Sequence, residues 1–575
     1  MLNLPKSEKI YKILLFVSIF GLICCFMLLF PHSRIFVIIV AEMALGRNLN
    51  NELWMRVLLR FTTLTTVSIS IIIFQILARD LITNNLERCK KFFIFAAFGI
   101  VVMSIVIIVT MQIRGRSLWL DEAMLATSII SRDLNGLLDP PLDNGQSAPF
   151  LYIIAVKLLC AVLGYSEFSL RLFSFLAFIG LLICTKELAK KALLYTNYQT
   201  AFVVAMSAVL PTFIWYSNEF KPYMSDAFFV VLTFLLYFHY TQGKIRLSVL
   251  TTLYLIFFGF STPVIFFIGG IFIYEFILSI RNKEKIVFVF LSGVIFLVIS
   301  VLYFRWWHLP ILRSMQSFWD DFAEQSLLFR LIGLFSGTGN SDSSFLIFLV
   351  PFALLGIYFF IKSKNKLAYV ALLSLCLVFS ASAMGFWPMH GRLWLFLPAI
   401  VLLFTPSGID FIHNKVKQRK ITNFMEFLFF TAILAGFSIN SLGYLGDRMY
   451  FPKQEINPLI YHVQNNIKEG EKLYIYPAAR FTFEFKNGYS SRRIGDVQYD
   501  NILFGINRYE WNEDSLGNEL QSILEHERVF LIFQHHWVGI SRGLDILRNY
   551  GSLTEIMNVQ NTPLYFFERC RVYSK

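Results

Sequence analysis

Apolar positions in this chain fall in long unbroken blocks rather than in alternation, with short polar stretches between them. Residues 92–111, FFIFAAFGIVVMSIVIIVTM, carry no charge, and a helix needs ~17–25 mostly apolar residues to cross the hydrocarbon of a bilayer. The blocks predict about 13 spans, near 10–30, 57–78, 92–112, 168–188, 199–216, 223–240, 246–261, 262–280, 286–304, 344–361, 367–385, 393–407 and 423–443. Residues 246–280 are readable as one span or two. The intervening charges check the count. With the N-terminus cytoplasmic, the connections on that side hold Arg79/Arg88/Lys90/Lys91, Lys186/Lys190/Lys191, Lys244/Arg246, Arg281/Lys283/Lys285, Lys362/Lys364/Lys366 and Lys415/Lys417/Arg419/Lys420. Basic residues gather at the cytoplasmic ends of membrane helices, so this recurrence fixes the orientation. The first block is longer than the ~7–15-residue apolar core of a signal peptide, and the PHSR that follows offers no small-x-small cleavage site, so it is read as a span.

The segment 147–164, SAPFLYIIAVKLLCAVLG, is apolar but short, and Lys157 sits inside it. Were it to cross, every later basic cluster would fall on the wrong side. It is read as a helix at the outer interface, inside a long first loop, 113–167. After about Tyr444 the pattern changes: EKLYIYPAARFTFEF and RVFLIFQHHW read as strands, NPLIYHVQNNIKEG and ISRGLDILRNYG as helices ending at Gly. The expected organisation is therefore an α-helical polytopic membrane protein with a small extracytoplasmic α/β domain at the C-terminus. Residues 1–91 carry two additional spans, 92–443 a membrane module and 444–575 the soluble domain. The long loops lie outside and the short ones inside, which puts the working face outside.

Composition agrees. The chain is 56% hydrophobic and only 15% charged, against ~25% charged in soluble domains. Its net charge of +13 is spent on loop orientation and does not indicate nucleic acid. The seven cysteines form no CxxC, so neither a disulfide framework nor a zinc site is indicated.

Three outer segments carry candidate chemistry. RGRSLWLDEAML (114–125) places Asp121 and Glu122 just past a span. They are either a solvated loop start and N-cap for the helix that follows, or a general base, with the pair also able to hold a metal; desolvation near apolar surface raises a carboxyl pKa and suits it to accept a proton. WYSNEFKPYMSD (215–226) gathers Glu219, Lys221 and Asp226 with Tyr216 and Tyr223 at a junction of two spans. This is either an interfacial aromatic belt with a snorkelling lysine or a second acid with a cation facing an anionic headgroup. FWPMHGRLWLFLP (386–398) sets His390 and Arg392 at an outer helix end, where Arg is either an anchor or a bidentate phosphate ligand. Arg171 lies near the outer end of its own span. Cations on the translocated side run against the orienting bias. Together the segments suggest one substrate with an apolar tail, an anionic phosphate and a reacting group. His535-His536 lies in a strand-like run and is read as structural.

An ordered series of motifs carries a resemblance. LWLDEAMLA resembles the first-loop Asp-Glu motif, and DNGQSAPFLYIIAVKLL with GYSEFSLRLFSFLAFIG resembles the Pro-containing interfacial helix and Arg-bearing span start. WYSNEFKPYMSD resembles the Tyr-Ser-x-Glu-x-Lys/Arg-x-Tyr turn, and HGRLWLFLPAIVLL the Arg-bearing late helix, of the GT-C membrane glycosyltransferases. The match, over about residues 92–410, is to their family-39-like bacterial branch, related to protein O-mannosyltransferases and aminoarabinose transferases. The resemblance implies a GT-C-like fold and inverting transfer from a polyprenyl-phosphate sugar, in the bacterial inner membrane, to an extracytoplasmic acceptor. It implies Asp121 as catalytic base or acceptor-site acid, with Glu122 beside it and Glu219 as supporting acid. Lys221, Arg392 and Arg171 would hold lipid phosphate, with Tyr223 and His390 beside them. Some relatives use a divalent cation and others do not. Lys221 stands where many relatives have Arg, and Ser147-Ala148 replaces a common His-Pro.

A transporter or lipid flippase is the alternative of a different class. It would bury ionisable residues at mid-membrane, often in repeated halves; Glu275 is the nearest such residue, and no internal repeat is visible. A ligase-like lipid-linked transferase would carry basic catalytic residues in one late loop. A non-enzymatic envelope-assembly role also stands.

Overall fold

The computed structural model describes residues 86–280, 283–310, 342–388, 391–413, 419–450, 454–486, 501–505, 513–534, 540–559 and 562–569. The expected spans 10–30 and 57–78, His390 and the His535-His536 pair lie outside the described residues. The helices are α1 (Leu86–Arg114), α2 (Leu120–Ser131), α3 (Phe150–Leu163), α4 (Glu167–Glu187), α5 (Asn197–Val209), α6 (Pro211–Ser217), α7 (Tyr223–Thr241), α8 (Leu247–Phe260) and α9 (Val264–Ser279). They continue with α10 (Lys283–Tyr303), α11 (Val350–Lys362), α12 (Lys366–Ala383), α13 (Phe396–His413) and α14 (Arg419–Tyr450). Each expected span among the described residues overlaps a helix, except 199–216, which falls on the bent pair α5–α6. Among the described residues, five stretches are long and apolar enough to cross alone: Leu86–Arg114, Glu167–Ala192, Tyr223–Thr241, Ile286–His308 and Lys366–Ala383. The pair α5–α6, bent by 57°, makes a sixth if it is one broken span. The other apolar helices among the described residues have apolar stretches of 10–17 residues, so length and composition alone support fewer crossings than the eleven expected there. The α5–α6 bend has a local cause: Pro211 cannot donate to the ladder and pushes Leu210 to an extended ψ of 119°.

α1 is apolar all round. Phe93, Ala97, Ser104 and Ile108 pack inward, while Phe92, Phe95, Phe98 and Val106 are exposed, as suits a helix with lipid on one side. Small residues let other helices approach. A Cβ on Gly356 of α11 would lie 2.0 Å from the Phe404 carbonyl of α13, and one on Gly408 1.8 Å from the Phe352 carbonyl, the close crossing that membrane helices use in place of a hydrophobic drive.

α3 has 14 residues, ~21 Å of helix, short of the ~30 Å hydrocarbon core. Lys157 would be out of place in a span, and here it serves as a cap. Its ammonium donates to the carbonyls of Ile129 (2.7 Å) and Arg132 (2.5 Å), closing the C-terminal end of α2. At the other end the Trp307 indole donates to the Ala148 carbonyl at 2.9 Å.

The C-terminal unit holds α15 (Asn457–Asn466), β1 (Lys472–Ile475), α16 (Pro477–Glu484), β2 (Ile502–Phe504), α17 (Glu513–Leu524), β3 (Arg528–Ile532), α18 (Ile540–Tyr550), β4 (Gly551–Asn558) and β5 (Pro563–Arg569). Strand order is β2-β1-β3-β5-β4, with β1 parallel to β2 and β3, and β5 antiparallel to β3 and β4. The run EKLYIYPAARFTFEF is only half strand: Pro477 ends β1 and opens α16 at its first turn. Strand alternation gives the sheet two apolar faces. Leu473, Ile475, Phe530 and Ile532 pack on α15 residues such as Leu459. Tyr474, Tyr476, Val529 and Leu531 join a cluster that includes Trp119, Leu120 and Met124 of the first loop.

Candidate active site

α1 ends at Gly115, whose φ of 60° turns the chain out of the helix. Arg116–Trp119 then run without helix to α2, so Asp121 and Glu122 occupy its first turn, where the helix end favours carboxylates. Consecutive helical side chains diverge by ~100°, and these two go to different places.

Glu122 turns inward and is fully buried. It accepts from Arg171 Nε (2.8 Å) and Nη2 (2.6 Å), from the Phe220 N–H (2.7 Å) and from the Trp119 N–H (3.2 Å). Arg116 Nη2 stands 3.7 Å away. Burial works against its charged form, but the Arg171 and Arg116 guanidiniums overcome this and hold the carboxyl below the usual range. Arg171 also donates to the carbonyls of Arg116 (2.8 Å) and Ser117 (3.1 Å). Both residues are thus committed to each other and to backbone. The expected roles for Glu122 in chemistry and for Arg171 on phosphate do not match these contacts: their hydrogen-bonding groups are already used in joining α2, α4 and the Phe220 turn. Nor do the adjacent acids converge as a chelating pair, and among the described residues no three His, Cys, Asp or Glu gather as a metal site.

Asp121 turns the other way. Its Oδ2 accepts from Arg392 Nη1 at 3.1 Å across 271 residues of sequence, and both side chains stay partly open. Arg392 stands over the Tyr223 ring at 5.8 Å, and Tyr223 meets Tyr216 edge-on at 5.2 Å. Lys221 is buried and donates to Gln146 Oε1 at 2.6 Å. Burial pushes its ammonium down to about 8; Asp121 pulls it back up, Arg392 pushes it further down, and Glu219 and Glu122 pull up. Glu219 is buried in the same cluster, its charge acting on Arg116, Arg171 and Lys221. The turn that presents Glu219 and Lys221 is held by Gln112 on the Ser217 carbonyl (3.1 Å), Arg116 on the Asn218 carbonyl (3.0 Å) and Ser174 on the Lys221 carbonyl (3.2 Å). Asp226, one turn on from Tyr223 in α7, is buried beside Ser261 and Thr262. Glu275 accepts from Tyr237 (2.6 Å) and Tyr240 (3.4 Å), apart from these residues.

The fold therefore brings Asp121, Glu219, Lys221, Tyr223 and Arg392 together from three segments. Sequence reasoning missed Arg116 and Gln146, although both lie in the stretches that carried the motifs. Arg116, stacked 4.9 Å over Trp215, is one more cation on the side that the charge pattern reads as outer and carries that signal. The partly open pair can take a proton on its carboxylate and meet an anion with its guanidinium, with the charge of the buried Lys221 acting on both.

No protein-family model matches the chain, and no curated protein sequence matches it. Among solved structures it is similar to ArnT from Cupriavidus metallidurans in the apo state, with 11% identity and a TM-score of 0.46 over 82% of this chain and 98% of that one. It is also similar to the same protein bound to undecaprenyl phosphate, with 11% identity and a TM-score of 0.43 over 83% of this chain and 97% of that one.

Proposed function

We propose that this chain is an integral-membrane glycosyltransferase with a GT-C-like fold, moving a sugar from a polyprenyl-phosphate donor to a hydroxyl acceptor on the outer face of a bacterial inner membrane. The carrying observation is the partly open Asp121–Arg392 pair beside buried Lys221. Membrane-length helices around it give a tailed donor a sideways approach.

In this reading the donor phosphate lies between Arg392 and Lys221, with Tyr223 backing the guanidinium. A phosphate there competes with Asp121 for Arg392 and releases the carboxylate. Asp121 then takes the proton of the acceptor hydroxyl as its oxygen attacks the anomeric carbon. The bond from that carbon to the lipid phosphate breaks, and the phosphate leaves with the electron pair. One displacement inverts the anomeric centre, by the logic of paired carboxylates at opposite faces of a sugar. Cations facing the leaving phosphate stabilise its developing charge, so no separate acid is needed. Glu219 balances the cations from the buried side. Glu122 and Arg171 position the loop.

The test is Asp121→Asn, which removes the base with little change of shape. Purified variant should bind polyprenyl phosphate at least as tightly as wild type, because the competing carboxylate charge is gone, and transfer sugar from a panel of polyprenyl-phosphate sugars at least about 10²-fold more slowly. Near-normal transfer would remove the assignment.

A further inference from the structure

The segment that delivers Asp121 is gripped from two bodies, and only one of them is the membrane module. From the membrane side, Arg171 holds the carbonyls of Arg116 and Ser117. From the C-terminal unit, the Glu455 carboxylate accepts the Ser117 N–H at 3.0 Å and also the Ser117 hydroxyl. Gln454 Oε1 accepts the Leu120 N–H at 3.2 Å and is itself held by Gln534 Nε2 at 3.1 Å. Thr482 donates to the Leu118 carbonyl at 3.0 Å. Trp119, Leu120 and Met124 are buried among Tyr474, Tyr476, Leu520 and Val529. A second brace, Lys486 to Glu167, is buried at the start of α4, one turn before Arg171.

We propose that Gln454 and Glu455, at the start of the C-terminal unit, are positioning residues for Asp121: they fix the backbone of Ser117–Leu120, and with it the direction in which that carboxylate points. A non-helical stretch has no internal ladder, so the groups that satisfy its N–H and C=O set its course. Leu120 is the first residue of α2, and its N–H is one of the orphan donors of a helix start. Taking it up fixes where the helix begins and how it is turned about its axis. Asp121 is the next residue. An appended domain needs only a covalent link to stay attached. This one places buried polar side chains on the loop beside the candidate base, Gln454 and Gln534 among them.

The inference rests on the transfer reading for its kinetic arm and is independent of it in the other. Gln454→Leu keeps size and removes the acceptor; Gln454→Glu keeps an acceptor oxygen for both Leu120 and Gln534. A carboxylate displaced by about 1 Å loses roughly 10–100-fold in rate. Gln454→Leu should therefore lower kcat by that order with donor KM within about twofold, and Gln454→Glu should restore most of it. Unchanged kcat in Gln454→Leu, a loss confined to KM, or equal losses in both variants would overturn the proposal. The second arm needs no activity. In Asp121→Cys protein, labelling by a membrane-impermeant maleimide should change several-fold when Gln454→Leu is added, read against the parent chain without the introduced cysteine. An unchanged rate overturns the clamp. A changed rate, with wild type transferring no sugar, supports the clamp and removes the transferase reading alone.

Discussion

Glu122 meets Arg171 at 2.6 Å with the two side chains 0% and 2% exposed, whereas one residue earlier Asp121 meets Arg392 at 3.1 Å with 26% and 17% exposed. The two pairs use the same kinds of charge and differ in what surrounds them. The sealed carboxylate accepts from four donors on three elements. That is the condition under which a buried pair repays its desolvation, and removing one partner leaves an uncompensated charge. The partly exposed pair is joined by the Arg392–Asp121 hydrogen bond; an ion pair open to solvent is worth ~0–1 kcal/mol and can exchange its partner cheaply. A base that must release a cation when substrate arrives belongs in the second environment, and a loop that must not move belongs in the first.

The comparison breaks most readily through exchange of effects. Asp121→Asn should lower kcat by about 10²–10⁴-fold, the span of general-base contributions, while thermal unfolding in detergent shifts by no more than ~1 kcal/mol. Glu122→Gln should do the reverse: the stranded Arg171 costs ~3–5 kcal/mol, seen as a lower melting temperature and yield, while the folded fraction still binds polyprenyl phosphate. If Asp121→Asn melts early and Glu122→Gln is stable but inactive, the roles are interchanged. Acid sharpens the same contrast. The folded-state pKa of Glu122 is depressed, so its contribution is fully present above the unfolded value of ~4.3. It is lost as pH falls below that through the folded value. Wild type should lose stability on acidification in that range more steeply than Glu122→Gln; parallel curves would show that the sealed pair contributes nothing.

Much of the fold is legible in the sequence because membrane helices announce themselves by unbroken apolarity: each expected span among the described residues overlaps a helix, or at 199–216 a helix pair bent at Pro211. The convergence of the first loop, the Glu219–Lys221 turn and Arg392 is also legible, since cations on the side that the charge pattern reads as outer lack a topological reason. The roles of neighbours are not. Nothing in the letters Asp-Glu says which acid turns inward, because the direction depends on where α2 begins, and that is set by Gln454 some 334 residues away. Lys157 is legible as an obstacle to a span but not as a cap on α2, which needs the carbonyls of Ile129 and Arg132 in space. The run through Pro477 reads as strand throughout because Tyr474, Tyr476 and the later Phe residues alternate, while the proline starts a helix.

The smallest expected effect concerns the third cation. Lys221 is buried beside the open pair, and burial brings its ammonium down to about 8, so it is charged at neutral pH and loses its charge as pH rises through that value. A bound phosphate favours the charged form, so donor affinity and protonation are linked. If Lys221 holds the phosphate, affinity for a polyprenyl phosphate, once the phosphate's own second ionisation at pH ~6 is passed, should decline above about 8, by at most about tenfold per pH unit for one proton. Lys221→Arg should remove the decline, because a guanidinium stays charged throughout, even if its plane fits the site less well and lowers affinity overall. Lys221→Met should bind weakly with no such bend. Arg392 would keep its charge in all three proteins, so it cannot produce the bend. Parallel curves for wild type and Lys221→Arg would therefore take Lys221 off the phosphate and leave Arg392, the member of the open pair, as its holder.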